Sequence, residues 1–161
     1  MNLRQALIAG SVIAAWALAV ASLRLFDQML EQPGSLSPLS PRGLWVCTLP
    51  AVISAMASAW WHTRRADGDP LAHNSLAARI SGWSFPVFGV LFACAISLAE
   101  PTRLHEVSDG LSLFRDLATL AALVSICGVV FLFPFAFVLE YIVVRLIRAR
   151  WPRAAFSGAA P

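Results

Sequence analysis

The chain has 161 residues, of which 58% are hydrophobic and 13% are charged, and its formal net charge is +3. A soluble domain of this size needs more polar surface than this composition supplies, because its exterior must face water. All 12 strongly basic residues are arginines that flank apolar runs. The positive charge therefore indicates membrane topology, and nucleic acid is not expected as a partner.

Four apolar runs predict four transmembrane helices, because each has close to the ~20 residues that cross ~30 Å of hydrocarbon. The runs cover residues 5–26, 43–61, 80–99 and 117–139, and the last helix is expected to continue to residue 146. The loops are 27–42, 62–79 and 100–116, followed by a tail at 147–161. The expected fold is a single all-α, polytopic membrane domain, a bundle of four transmembrane helices.

The first run also has features of a signal peptide. Arg4 precedes it, and Ala19-Val20-Ala21 before Ser22 is an acceptable signal-peptidase site. Cleavage there would leave three helices. The run is longer than the apolar core of an ordinary signal peptide, which favours a retained helix.

Small residues form stripes on the second and third predicted helices, a pattern typical of helix contacts in membranes. The stripes comprise Ala51, Ala55 and Ser58 in the second helix and Gly89, Ala93 and Ser97 in the third. Packing inside the bundle and an oligomer interface both suit this pattern. If the stripes hold a partner, Gly89→Leu or Ala93→Leu should release it.

Three prolines interrupt the apolar runs, at Pro50, Pro86 and Pro134. Each removes a backbone donor within a helix, so kinks are expected at these points. Such kinks are either structural or mark a moving element. Pro134 is counted with Glu140 and Arg145 among the candidate functional residues within the membrane.

The polar segment between the second and third predicted helices contains a weak candidate for a metal site. Asp67 and Asp69 suit a divalent cation, but a turn whose acids balance Arg64 and Arg65 is favoured, since no phosphate-binding loop accompanies them.

Two further features border the helices. Asn74 or Ser75 is a possible N-cap of the third helix. The segment 101–116 mixes apolar and charged residues, so it is expected to form a short interfacial helix or to meet a partner protein.

Cysteines and histidines do not suggest a metal or haem site. Cys47, Cys94 and Cys127 lie in apolar runs and are expected to act as small packing residues. The histidines are expected in loops on different sides of the membrane; they are His62, His73 and His105. We therefore expect neither a cofactor nor a metal.

The distribution of arginines predicts the orientation. Eight of the 12 arginines fall on one side if the helices alternate across the membrane, whereas the other side is net acidic. Basic residues in short loops stay in the cytoplasm, so both termini are predicted to be cytoplasmic. Most tryptophans lie near predicted helix ends, as in an aromatic belt, but Trp16 lies mid-helix and is expected to pack inside the bundle.

Glu140 is the strongest functional candidate, because apolar residues run on from both sides of this acid. An ionisable group within a bilayer is costly and usually faces protein or water, so it could relay a proton or bind a cationic substrate. The alternative places Glu140 at headgroup level, paired with Arg145, Arg79 or Arg4.

These features predict a non-catalytic protein, because no nucleophile with a neighbouring base, metal cluster or phosphate loop is evident. We expect an accessory, assembly, regulatory or immunity subunit that acts by protein contact. Its partners would be the lipid bilayer and another membrane protein or further copies of itself. The alternative is a small oligomeric transporter or channel that uses Glu140. The alanine- and arginine-rich, lysine-free sequence favours a bacterial inner membrane.

Overall fold

The computed structural model describes residues 3–29, 44–65, 73–99 and 110–150, and all of them are helical. Helix α1 is Leu3–Met29, and α3 is His73–Ala99. Helix α2 starts with a π-helical turn, Leu44–Thr48, and continues as the α-helix Leu49–Arg65. Helix α4 comprises Gly110–Cys127, a π-helical turn at Gly128–Leu132, and Phe133–Arg150. The all-helical prediction with four helices is confirmed.

Three of the helices are long and apolar enough to cross a membrane. These segments are Leu3–Leu25, Asn74–Ala99 and Gly110–Arg150. Helix α2 is not in this set, and its α-helical part has 17 residues. The chain therefore has the long apolar helices of a membrane protein.

The helices extend beyond the apolar runs that predicted them. Helix α3 begins at His73 rather than at residue 80, because its first two turns bury Leu76 and Ala77 against the other helices. Asn74 and Ser75 lie inside this helix, so the predicted N-cap is wrong. The loop positions expected for two histidines are also wrong, because His62 lies in α2 and His73 begins α3.

Helix α4 also starts earlier than expected, at Gly110. Residues 110–116 therefore belong to α4 and do not form a separate interfacial helix. The remainder of that predicted segment lies outside the described residues, as do Asp67, Asp69 and His105.

Helices that follow one another in the chain pack side by side, and α4 returns to contact α1. The two halves of α4 differ in their neighbours. Gly110–Cys127 packs against α3 and buries none of its residues, whereas Phe133–Arg150 packs against both α1 and α3. The helices therefore close on one another at the second half of α4.

A cluster of buried side chains joins all four helices at one end of the structure. Its members are Leu7, Ala59, Leu76, Ile80 and Val144. Because these side chains are almost fully enclosed, they seal this end of the structure.

Three glycines allow neighbouring helices to approach closely, because a Cβ atom at each would overlap with the next helix. The overlaps involve Gly10 with Val143 and Ile147, Gly89 with Ser125, and Gly128 with Phe85. Hydroxyl groups reinforce two of the contacts between helices. Ser58 donates to the carbonyl oxygen of Ile80 at 2.8 Å, and Ser125 lies 3.3 Å from the carbonyl oxygen of Phe85.

Both π-helical turns directly precede a proline. The turn Leu44–Thr48 ends two residues before Pro50, and Gly128–Leu132 ends two residues before Pro134. Proline clashes with the carbonyl four residues earlier, and a wider turn accommodates its ring. In the second case the N–H of Phe133 donates to the carbonyl of Gly128. Pro86, by contrast, lies within the continuous α-helix of α3.

The outer surface is rich in large apolar side chains, as lipid contact requires. Trp16 belongs to this surface with 49% of its area exposed, so the prediction that it packs inside the bundle is wrong. The sequence placed it mid-helix, but its angular position faces it away from the other helices.

We predict that Gly89→Ala destabilises the protein by about 1–3 kcal/mol, because the new Cβ overlaps Ser125 and the carbonyl of Ala121. Gly82→Ala is the matched control in the same helix, because its Cβ would lie 3.9 Å from the ring of Phe133. That change should be neutral or stabilising, since alanine favours helix. Thermal unfolding in detergent compares the variants, and equal losses would contradict the assigned α3–α4 contact.

Candidate functional site

Glu140 lies on the face of α4 that turns towards the other helices, one turn from Ala136 and one turn from Val144. Its exposed fraction is 5%. The hydroxyl of Ser11 on α1 donates a hydrogen bond to Glu140 Oε2 at 2.9 Å. This hydrogen bond links the first and last helices at a point where a charge would be costly without a partner.

The arginine partners expected from the sequence do not contact Glu140. Among the described residues, Ser11 is its hydrogen-bonding partner. Arg145 and Arg79 are exposed on the surface, and the guanidinium of Arg4 lies over the ring of Trp60 at 5.9 Å. The predicted arginine pairing is therefore wrong.

The hydroxyl of Ser11 faces two acceptors with one proton. Besides Glu140, it lies 3.0 Å from the carbonyl oxygen of Leu7 in its own helix. One proton cannot serve both acceptors fully. If Glu140 carries a proton, its O–H can donate to Ser11 while Ser11 donates to Leu7. The geometry therefore suits a carboxyl group that gains and loses a proton.

A cavity of about 350 Å³ starts at Glu140 and extends away from the sealed end. Its walls combine small side chains on two helices with aromatic ones on a third. The small residues on α1 and α2 include Ala14, Ala19, Ala51 and Ala55, and the aromatic residues on α3 are Phe85, Phe88 and Phe92. The cavity exists because several of its lining positions on α1 and α2 are occupied by alanines, whereas larger side chains would fill it.

The cavity has a gap in its wall between α1 and the first half of α4. Helix α1 contributes residues as far along as Ser22 and Leu23, and α4 contributes Leu132, Ala136, Leu139 and Glu140. In the described part of the chain, Gly110–Cys127 adds no lining residue, since that half of α4 packs on α3. Among the described residues, no part of Gly110–Cys127 therefore closes the end of the cavity distant from Glu140.

Few polar groups line the cavity. Ser54 and Ser84 donate to carbonyl oxygens of their own helices, those of Ala51 and Ser81. The hydroxyl of Ser81 is different, because this residue is 1% exposed and the hydroxyl has no hydrogen-bond partner in the described part of the chain. A buried hydroxyl without a partner is uncommon in a folded protein, and it lies at the same cavity as Glu140.

The small-residue stripes lie inside the chain. Gly89 packs against α4, and Ala93, Ala55 and Ser58 are buried. Ala51 lines the cavity, and Ser97 is half-buried with its hydroxyl donating to the carbonyl of Ala93. Leucine at position 89 or 93 would therefore disturb the packing of this chain, so those substitutions do not report cleanly on a partner.

The remaining sequence candidates are spread over several surfaces. Pro134 is exposed at the π-helical turn of α4, two turns before Glu140. Cys94 and Cys127 are exposed, whereas Cys47 is half-buried and lines the cavity. The structure thus brings Cys47 to the site, and leaves Arg145 outside it.

The sequence analysis missed three residues of the site, namely Gly10, Ser11 and Ser81. Gly10 and Ser11 lie next to each other within a strongly apolar helix. In such a helix a glycine indicates close contact with a neighbouring helix, and a serine indicates a polar partner. Ser81 carries a weaker signal, because serine is common in this chain.

No protein-family model, curated protein or solved structure matches the chain. Within the described ranges, no group of three or more histidines, cysteines or acids is placed to hold a metal ion.

We predict that Ser11→Ala lowers the free energy of unfolding by about 1–3 kcal/mol, because it leaves Glu140 buried without its donor. The double variant Ser11→Ala/Glu140→Leu should be more stable than Ser11→Ala alone, since removing both polar partners leaves no unsatisfied group. Unfolding in detergent measures this coupling. Ser97→Ala, which removes a hydroxyl bonded within its own helix, is the control, and strictly additive losses would contradict the coupling.

Proposed function

We propose that the chain is a small multi-pass carrier of the bacterial inner membrane, in which Glu140 exchanges a proton for a solute. One observation carries this proposal: a buried carboxyl group lies at the closed end of an apolar cavity whose side the described residues leave open. Ionisable groups in such places are costly, so a protein that keeps one usually uses it.

All four helices cross the membrane in this proposal, including α2. The 5 residues of its π-helical turn and the 17 of its α-helix rise together by about 33 Å, enough to span the hydrocarbon. Helix α2 also packs between α1 and α3. These contacts support an up-and-down arrangement in which both termini lie on one side.

Arginine and tryptophan support the position of the cytoplasmic boundary. The guanidinium groups of Arg4 and Arg64 lie 5.9 Å and 4.9 Å from the ring of Trp60. Both residue types favour the membrane interface, and the pairing is a cation–π contact. Ser11 lies seven residues beyond Arg4 on α1, so the Glu140 site is about 10 Å inside this boundary. That depth favours the functional interpretation of Glu140 over the headgroup interpretation.

A carrier fits this geometry better than an open channel. The cluster of Leu7, Ala59, Leu76, Ile80 and Val144 is almost fully buried at the end that we assign to the cytoplasm, so the described residues close the path from Glu140 to that side. Release to the cytoplasm requires this cluster to open. The π-helical turns beside Pro50 and Pro134 lie in the two helices where such a movement can start, because widened turns have weaker hydrogen bonding.

The carrier does not require an oligomer to enclose its site. The sequence interpretation expected one because four helices enclose little space, yet the cavity of about 350 Å³ lies within one chain. This volume is at the lower end of the range for small-molecule sites.

A contact function is the second candidate, and the length of α4 favours it. Its 41 residues rise about 60 Å, roughly twice the hydrocarbon thickness, so part of it projects from the bilayer. Leu111 and Phe114 are exposed at its start, with 74% and 72% of their areas accessible. A partner protein that co-purifies with the chain and is lost after Phe114→Ser would support this function.

We predict that reporter fusions at the N-terminus, at the C-terminus and after Arg65 report a cytoplasmic location, and that a fusion before Gly110 reports the opposite side. The reason is the arginine distribution together with a membrane-spanning α2. Paired reporters, one active in the cytoplasm and one outside it, make the measurement. A fusion after Arg65 on the non-cytoplasmic side would exclude this topology.

We also predict that Glu140→Gln abolishes solute-induced proton movement in proteoliposomes, because the amide cannot exchange a proton. A pH-sensitive dye inside the vesicles records the response to a panel of cationic, neutral and anionic lipophilic solutes. Asp116→Asn is the matched control, since this acid lies on the surface with a 65% exposed side chain. A solute response that survives in the Glu140→Gln protein would exclude this residue as the exchange site.

A further inference from the structure

The occupant of the cavity can be inferred from the chemistry of its walls. The described lining residues include one acid, Glu140, and no arginine. An anion would face the carboxylate without a compensating cation. A neutral molecule would leave the ionised carboxylate with the Ser11 hydroxyl as its partner and its charge uncompensated. A cation is the complementary head group, because it pairs with the carboxylate where water is scarce.

The shape of the cavity indicates that the cation carries an apolar tail. Glu140 stands at one end, and the walls beyond it are formed by alanine, leucine, isoleucine and phenylalanine side chains. Along α1 the lining runs from Ala14 to Leu23, a rise of about 14 Å, and along α3 it reaches Ile96. A head group at Glu140 therefore directs the rest of the molecule along an apolar wall towards the open side.

Ser81 provides a second, independent indication of a ligand. Its hydroxyl is buried and has no hydrogen-bond partner among the described residues, and Ser81 lines the cavity. Ser81 follows Ile80 in α3. Ile80 belongs to the same buried cluster as Val144, and Val144 lies one turn after Glu140 in α4. The hydroxyl thus lies towards the Glu140 end and can accept a hydrogen bond from an N–H group.

The route of access follows from the gap between α1 and Gly110–Cys127. On the proposed topology this gap faces the hydrocarbon of the leaflet opposite the cytoplasm. A solute that partitions into lipid reaches the cavity sideways without crossing the sealed end.

We propose that the cavity binds a lipophilic ammonium ion, with its nitrogen at Glu140, its N–H groups near Ser81 and its apolar tail towards the gap. This inference rests on the proposed function and specifies the solute class. The proposal includes the proton balance: Glu140 holds a proton in the empty site, this proton is released to water on binding, and the ammonium ion pairs with the carboxylate that remains. Each bound cation releases one proton.

The titratable surroundings of Glu140 are sparse. On α1 and α3 the described lining residues include no titratable side chain, and α2 contributes Cys47. On α4 itself Arg145 is exposed. Proton release on binding therefore reports on Glu140, and Cys47→Ser serves to remove the remaining group.

The test uses the full chain in nanodiscs of zwitterionic lipid. The three probes share a ten-carbon alkyl chain and differ in the head group. Decylamine is charged at neutral pH, decanol is neutral, and decyltrimethylammonium is charged but has no N–H donor. Equilibrium binding and proton release in weakly buffered solution are measured together. We expect both ammonium probes to bind at least tenfold more tightly than decanol, and each to release about one proton, because a cation is attracted to the carboxylate where water is scarce.

The variants separate the contribution of Glu140 to binding from that of Ser81. Glu140→Gln should abolish the preference for the ammonium probes and the proton release. Ser81→Ala should weaken decylamine about fivefold without changing decyltrimethylammonium, because a single hydrogen bond has a modest net effect. Asp116→Asn should behave as the unmodified protein, and the thermal unfolding of every variant confirms that it is folded.

The outcomes distinguish this inference from the carrier proposal. Equal binding of all three probes, unchanged in Glu140→Gln, would overturn the inference and leave the cavity as a lipid-filled groove. Glu140-dependent ammonium binding without proton movement in proteoliposomes would support the inference and contradict the carrier. Proton movement driven by other solutes, without ammonium preference, would overturn the inference and leave the carrier intact.

Discussion

The close approach of α1 to the second half of α4 holds this arrangement together. At Gly10 the backbone of α1 lies against Val143 and Ile147, where a side chain would not fit. This contact brings α4 back to the first helix, places Ser11 beside Glu140 and closes the cluster that contains Leu7. The first half of α4 has no such contact with α1, and the side gap follows from that difference.

Small residues have two opposite effects in this chain. Lipid supplies no hydrophobic force between helices, so close packing and satisfied polar groups must hold them together. Glycines at 10, 89 and 128 permit that packing. The alanines of α1 and α2 that line the cavity are also small, but no side chain of the described residues fills the space beside them. Small residues therefore allow close helix packing in one place and leave a cavity in another.

The sequence predicted the all-helical fold because apolar runs of spanning length carry a strong signal. It identified Glu140 by a similar argument, since an acid within an apolar run is conspicuous. It missed the partner, Ser11, because the pairing of α1 with α4 joins residues 129 positions apart. It also missed the cavity, because alanine stripes do not reveal whether a neighbour will fill the space. The amphipathic start of α3 extended that helix beyond its apolar run, which hydropathy alone does not detect.

The π-helical turn at Gly128–Leu132 has a consequence for the phase of α4. Each residue of an α-helix advances about 100° around the axis, so one additional residue in a turn rotates everything that follows by about that angle. Ala136, Glu140 and Val144 form the buried side of the second half of α4. With an ordinary turn before Pro134, a different stripe would face α1. The π-helical turn before Pro134 therefore determines which side of α4 carries the carboxyl group of Glu140.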